Sequence, residues 1–186
     1  MSIDLYSYAK SFENFSKEEC ITFFEKYGLK VEIHPEFEFE TQSGFLPFKV
    51  IFEDENCPYR GKEFISGFEF LLDDEYDYKA NLKELQPKGL FSCFKKRKYI
   101  CDEQIDAALK ESKYLVEMRF HEMMELVVAQ IFSAYLSSSC NAVYYDPQAD
   151  TYFLPEQLNA DEEINSGLQA LYTDEFQEWH PFEGWL

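Results

Sequence analysis

The last 67 positions of this 186-residue chain contain no lysine and no arginine. Arg119 is the final basic side chain, and 12 acids follow it: Glu122, Glu125, Asp146, Asp150, Glu156, Asp161, Glu162, Glu163, Asp174, Glu175, Glu178 and Glu183. Lys and Arg ion pairs are therefore excluded within the last third. Residues 1 to 100 carry 19 acids against 14 bases, and residues 101 to 186 carry 17 against 3, so -14 of the net -19 lies in the second part. Nucleic acids and anionic membranes are bound through clustered cations, and a chain of pI near 4.4 is expected to bind neither. Where charge selects a partner, that partner is basic.

Other absences remove the familiar signatures of several chemistries, and with them the reason to expect an enzyme. With only 7 glycines and neither GxGxxG nor GxxxxGK, a phosphate-cradling loop of familiar type is missing. There is no Gly-x-Ser-x-Gly elbow, and no spacing ties His34, His121 or His180 to a serine or cysteine nucleophile. The sequence shows no uninterrupted apolar run of membrane-spanning length, and Met1 to Phe15 lacks a basic start followed by an apolar stretch. A cytoplasmic protein with no membrane partner is the expectation. The 5 cysteines (Cys20, Cys57, Cys93, Cys101, Cys140) are odd in number and form no CxxC pair, which suits reduced thiols. Cys93 and Cys101 flank Lys95-Lys96-Arg97-Lys98, whose charge would lower a thiol pKa if the groups met; ordinary unreactive thiols are the alternative.

What is present forms a core: 46% of residues are hydrophobic and 18% aromatic, which excludes disorder by composition. Ser16-Lys17-Glu18-Glu19 reads as a capping box, Cys20, Phe23, Phe24 and Tyr27 share a helical face, and Gly28 supplies the stop. This predicts a helix over 17–27. Ile3 and Leu5 before it, and Leu29, Val31 and Ile33 after it, alternate as strands do. Phe37 with Phe39, then Phe48, Val50 and Phe52, then Phe68, Phe70 and Leu72 continue the alternation as an antiparallel meander. Residues 76–100 read as a long connection, with Pro87-Lys88-Gly89 as breaker.

From Asp102 to Ser138 the apolar positions keep helical spacing, which predicts one long helix or two with a bend near Ser112, ended by Ser137-Ser138-Ser139. Residues 141–154 read as two short strands around Asp146-Pro147 and Asp150, and Pro155 or Asp161 opens a last helix with Ile164, Leu168 and Leu171 inward. The expected fold is one α+β domain over 1–186, a mainly antiparallel sheet of about five or six strands against one long and two shorter helices.

His121-Glu122-Met123-Met124-Glu125 resembles half of HExxH but has Glu where the second His ligand belongs. Glu117, His121 and Glu125 would share a face of the expected helix, and a structural helix surface is the preferred reading of them over a metal site. No catalytic residue, cofactor or metal ligand is assigned. At the C-terminus Phe176, Trp179, Phe182 and Trp185 recur every three residues among acids. They either dock onto the sheet or form an exposed aromatic and acidic patch.

The segment Ala142 to Gln157, following an amphipathic helix and a run of small residues, resembles a phrase of bacterial α+β proteins that include toxin-neutralising immunity proteins. The resemblance implies a non-enzymatic binding protein whose partner is a toxin domain, and it brings no catalytic residues. Together with the acidity, the expected function is an immunity protein that occludes the active site of a basic toxin, a nuclease among the candidates. The expected contacts are Asp73, Asp74, Glu75, Asp146 and Asp150 as charges, with Tyr144, Tyr145 and Trp179 as anchors. The protein would act as a monomer or homodimer. The rivals are a nucleic-acid mimic that blocks a DNA-binding protein, and an enzyme with a site near His121.

Overall fold

The computed structural model describes residues 3–39, 41–87, 97–175 and 177–185. Strand β1 (Ile3–Ala9) leads to helix α1 (Lys17–Glu25), where the Ser16 hydroxyl accepts the Glu19 N–H at 3.2 Å, and Cys20 and Phe24 face inward. Gly28, at φ +74, ends this unit and lets β2 (Leu29–Ile33) begin at once. The alternation then produces β3 (Gly44–Phe52) and β4 (Glu63–Asp73), paired Leu29↔Phe52 and Leu46↔Phe68. The expected extension through Phe37 and Phe39 forms no strand. After Pro35 the chain turns, and both rings fold onto Phe70 at 5.7 and 5.9 Å.

Within the expected connection, residues 76–87 are more ordered than a bare loop. Asp77 accepts the Lys79 N–H at 2.8 Å and starts helix α2 (Tyr78–Glu84). Several expectations lie outside the described residues: Lys88-Gly89 of the breaker, Cys93, Lys95 and Lys96, as well as Glu40 and Phe176.

The long helix of 102–138 is replaced by three elements: α3 (Glu103–Glu111), strand β5 (Tyr114–Phe120) and α4 (Met123–Cys140). Ser112 takes an extended backbone, and Lys113 N–H donates to the Ala9 carbonyl at 3.0 Å, which draws the chain into the sheet beside β1. Within Tyr114–Phe120 the apolar residues satisfy both periods, and tertiary pairing selects the strand: Val116, Met118 and Phe120 are buried on one face. The serine run does not end α4, since Ser138 and Ser139 return their hydroxyls to the Tyr135 carbonyl, at 3.0 and 2.8 Å. Asn141, left-handed at φ 53, ends it.

Strands β6 (Val143–Asp146) and β7 (Thr151–Phe153) and helix α5 (Ala160–Thr173) follow, with Ile164, Leu168 and Leu171 buried as the pattern predicts. The fold is α+β. Its seven strands form one antiparallel sheet in the order β2-β3-β4-β5-β1-β6-β7. One face packs on α4, whose Val127, Val128, Ile131 and Phe132 are wholly buried, flanked by α1 and α5. By length and composition α4 is apolar enough to cross a membrane, but two-thirds of it lies inside this core. The opposite face carries a smaller cluster of Tyr8, Tyr78, Ile100, Ile105, Leu109 and Val143.

Candidate functional site

Strand alternation decides which side chains reach the face away from α4. On β1 these are Asp4, Tyr6 and Tyr8; on β5 Leu115, Glu117 and Arg119; on β6 Tyr145; on β7 Tyr152. The register places Tyr6 opposite Tyr145 and Tyr145 opposite Tyr152. Five rings follow one another as a result. Tyr76 lies 5.0 Å from Tyr8, Tyr8 6.3 Å from Tyr152, Tyr152 stacks on Tyr145 at 4.0 Å, and Tyr145 is 5.9 Å from Tyr6.

Helices α2 and α3 and residues 97–100 cover one end of this face. They are held by Asp106, a fully buried carboxylate that accepts the N–H groups of Ile100 and Cys101 and the Tyr78 hydroxyl. Satisfying that charge with several donors is what permits its burial.

Acids bracket the tyrosine row. At one end Asp73, Asp74 and Glu75 are exposed, and Asp73 accepts the Glu75 N–H at 2.9 Å in the turn that delivers Tyr76. Toward the other end the exposed Asp150, left-handed at φ 49, accepts the Tyr145 hydroxyl at 3.2 Å. Asp4 and Glu117 flank Tyr6, and Arg119 is committed to both, at 3.8 and 2.5 Å. Among the described residues no ammonium or guanidinium lies over any of the five rings; Lys98 and Lys110 sit instead over Tyr99 and Tyr78.

Burial first, and then the neighbouring carboxylates Glu117 and Asp4, raise the Tyr6 phenol. Burial and Asp150 do the same to Tyr145. Burial pushes Tyr76 up to about 12. The row is therefore neutral at physiological pH, offering hydroxyl donors and negative ring faces in an acidic field. Guanidinium groups bind such surfaces by stacking and ion pairing together.

The structure brings some of the expected contacts together and separates others. Tyr145 and Asp150 belong to this face, Asp73 lies on it opposite Leu115, and the exposed Asp74 and Glu75 follow in the turn before Tyr76. Asp146 ends β6 and accepts the Gln148 N–H at 2.7 Å, shaping the turn that presents Asp150. Tyr144 points to the other side, only 2% exposed, against Phe153; as a core ring it is unavailable as an anchor. Trp179 lies against Tyr59 at 4.4 Å, Phe64 at 4.9 Å and Phe52 at 5.6 Å, so it docks onto the sheet, and Trp185 packs on Phe182. Tyr6, Tyr8, Tyr76, Tyr152 and Glu117 were not expected here. The available signal was alternation: Tyr6 and Tyr8 share a strand face, and a hairpin closed by Asp146 to Asp150 pairs Tyr145 with Tyr152.

The chemistry sought near His121 and the thiols takes a different form. Glu117, His121 and Glu125 share no helix face, because β5 and a turn separate them; Glu125 instead accepts the His121 N–H at 2.7 Å. Glu122, Glu178 and His180 are brought together. The Cys101 thiol is raised, by burial and then by Asp102, Asp106 and Asp150, which is the reverse of activation by the basic run. No family model matches the chain, and neither a curated protein nor a solved structure matches it.

Proposed function

We propose that the chain is a non-enzymatic acidic binding protein that covers a basic protein partner, an immunity-type inhibitor of a cationic toxin domain. The observation that carries this reading is the tyrosine row from Tyr76 to Tyr6, bracketed by Asp73 to Glu75 and by Asp150. The acidic last third steers a cationic partner into encounter, and guanidinium groups seated on Tyr145 and Tyr152 slow its departure.

The test pairs the wild type with two variants altered at exposed acids, Glu75→Gln and Asp150→Asn, and with Tyr145→Ala. Asparagine tolerates a positive φ, so Asp150→Asn retains the turn. Affinity capture from the source cell should recover a basic protein with the wild type, and the variants should lose it. The captured protein's own activity should be blocked by the wild type. Association should slow roughly tenfold or more between low and high salt. A partner that the three variants bind as tightly as the wild type does would sink the reading.

A further inference from the structure

The sheet splits between β4 and β5. Their ladder runs from Asp73↔Leu115 to Glu69↔Arg119 and stops, because the chain leaves β5 at Phe120 and enters α4 at Met123. The C-terminal segment takes the vacated edge: Ile65 N–H donates to the His180 carbonyl at 2.9 Å, Phe182 N–H donates to the Glu63 carbonyl at 3.0 Å, and Phe64 bridges Pro181. At the fork, between the head of α4 and this segment, lies a cavity of about 260 Å³ lined by Ser66, Met124, Glu122, Glu178 and His180 among others.

Three of these residues form a ligand set. One atom each from Glu122, Glu178 and His180 lies within 4.8 Å of the others, and His180 Nε2 is 3.5 Å from Glu122 Oε1. Ligands at about 2.0–2.2 Å from one ion stand roughly 3 to 3.8 Å apart, so side-chain movement of about one ångström completes the set. Glu122 is already oriented. Its Oε2 accepts Gln177 Nε2 at 3.3 Å, while Gln177 Oε1 accepts the Met124 N–H at 3.3 Å, the kind of outer support that aims a metal ligand.

A simple ion pair between His180 and Glu122 leaves two facts unexplained. Glu178 adds a second carboxylate beside one imidazole, an excess of negative charge in a chain already at -19. And Ser66, 6% exposed and lining the same cavity, has a hydroxyl with no hydrogen-bond partner among the described residues. A buried hydroxyl left so is destabilising. A cation carrying a water answers both, neutralising the carboxylates and giving Ser66 a partner.

We propose that Glu122, Glu178 and His180 bind a divalent transition-metal ion, Zn²⁺ or Mn²⁺. The ion clips the C-terminal segment to the head of α4 across the split, with its water hydrogen-bonded to Ser66. One imidazole with two carboxylates suits these ions better than Ca²⁺, which takes six to eight oxygens, or Cu(I), which prefers sulfur. This inference stands apart from the tyrosine face.

The experiment uses untagged, EDTA-stripped protein titrated calorimetrically with Zn²⁺ alone and with Mn²⁺ alone. One ion should bind per chain. His180→Ala and Glu178→Gln, both at exposed positions and so expected to fold, should weaken it at least tenfold, whereas His34→Ala and His121→Ala should leave it unchanged. Hydrogen exchange at the Ile65 and Phe182 amides should slow on addition of the ion in the wild type and not in His180→Ala. No saturable single-site binding, equal binding by His180→Ala, or unaltered exchange at Ile65 and Phe182 with the ion bound would each overturn the proposal.

Discussion

On the α4 side of the sheet, Phe48, Phe68, Phe70 and Phe132 are buried to 2% exposure or less, with Phe132 within 6.5 Å of five other phenylalanine rings. On the other side Tyr6, Tyr145 and Tyr152 are half-buried, and Tyr145 spends its hydroxyl on an exposed carboxylate. Both faces are aromatic, and the hydroxyl separates their roles. A phenylalanine ring gains most from complete removal from water, whereas a tyrosine needs a polar partner at its tip and suits a surface that is dry beneath and wet above. The sheet thus has a packing side and a side that stays partly wet.

Four experiments would break or sharpen this contrast. Truncating the packing side should cost most: Phe132→Ala is expected to lose about 3–5 kcal/mol in urea unfolding, and a loss near zero would mean the α4 face is not the principal core. Next is the hinge of the tyrosine side, Asp106→Ala, which strands the Ile100 and Cys101 N–H groups and the Tyr78 hydroxyl. About 2–3 kcal/mol should be lost, with faster hydrogen exchange confined first to residues 97–111. Uniform acceleration across β3 and β4 would show that the two sides unfold as one.

The tyrosine row itself should behave oppositely. Tyr145→Ala is expected to lower stability by only about 1 kcal/mol, since its ring is half-buried. Tyr145→Phe, which keeps the stack on Tyr152 and loses the bond to Asp150, should change it less. A loss above roughly 3 kcal/mol for the alanine variant would place Tyr145 with the core side.

The smallest effect is alkaline. The Tyr76 phenol is raised from its usual 10.0 to about 12 by burial, so the folded state favours the neutral form. Its contribution is fully present below about pH 10 and lost as pH rises toward 12. Other phenols are raised as well, so the readout is a difference titration: Tyr76→Phe should remove phenolate absorbance that appears near pH 12, and a difference appearing near 10 would mean the row's end is open to water.

Much of this was legible locally. The capping box at Ser16, the stop at Gly28, the alternation of β2 to β4, the hairpin of β6 and β7 and the inward triad of α5 are each written within a dozen residues. Strand β5 was not. Leu115, Val116 and Phe120 sit at positions that fit a helix, and only the edges offered by β1 and β4 select the alternation of Val116, Met118 and Phe120 instead. Of the expected contacts, Tyr145 and Asp150 lie on the hairpin that the local pattern predicts, whereas Tyr144 falls on the core side because burial of a ring depends on which face of a sheet it meets, and Trp179 docks half-buried on β3 and β4.

By itself the amino-acid sequence determined the charge and its position and the α+β class, because those depend on composition and on neighbours close along the chain. The tertiary structure alone decided that Tyr76, Tyr8, Tyr152, Tyr145 and Tyr6 form one row, and that Glu122 meets Glu178 and His180. Those groups come from strands and segments far apart in sequence. The hairpin brings Tyr145 to Tyr152 locally, but the row as a whole needs the register of the sheet, and Glu122 meets Glu178 and His180 only where the C-terminal segment docks beside the head of α4.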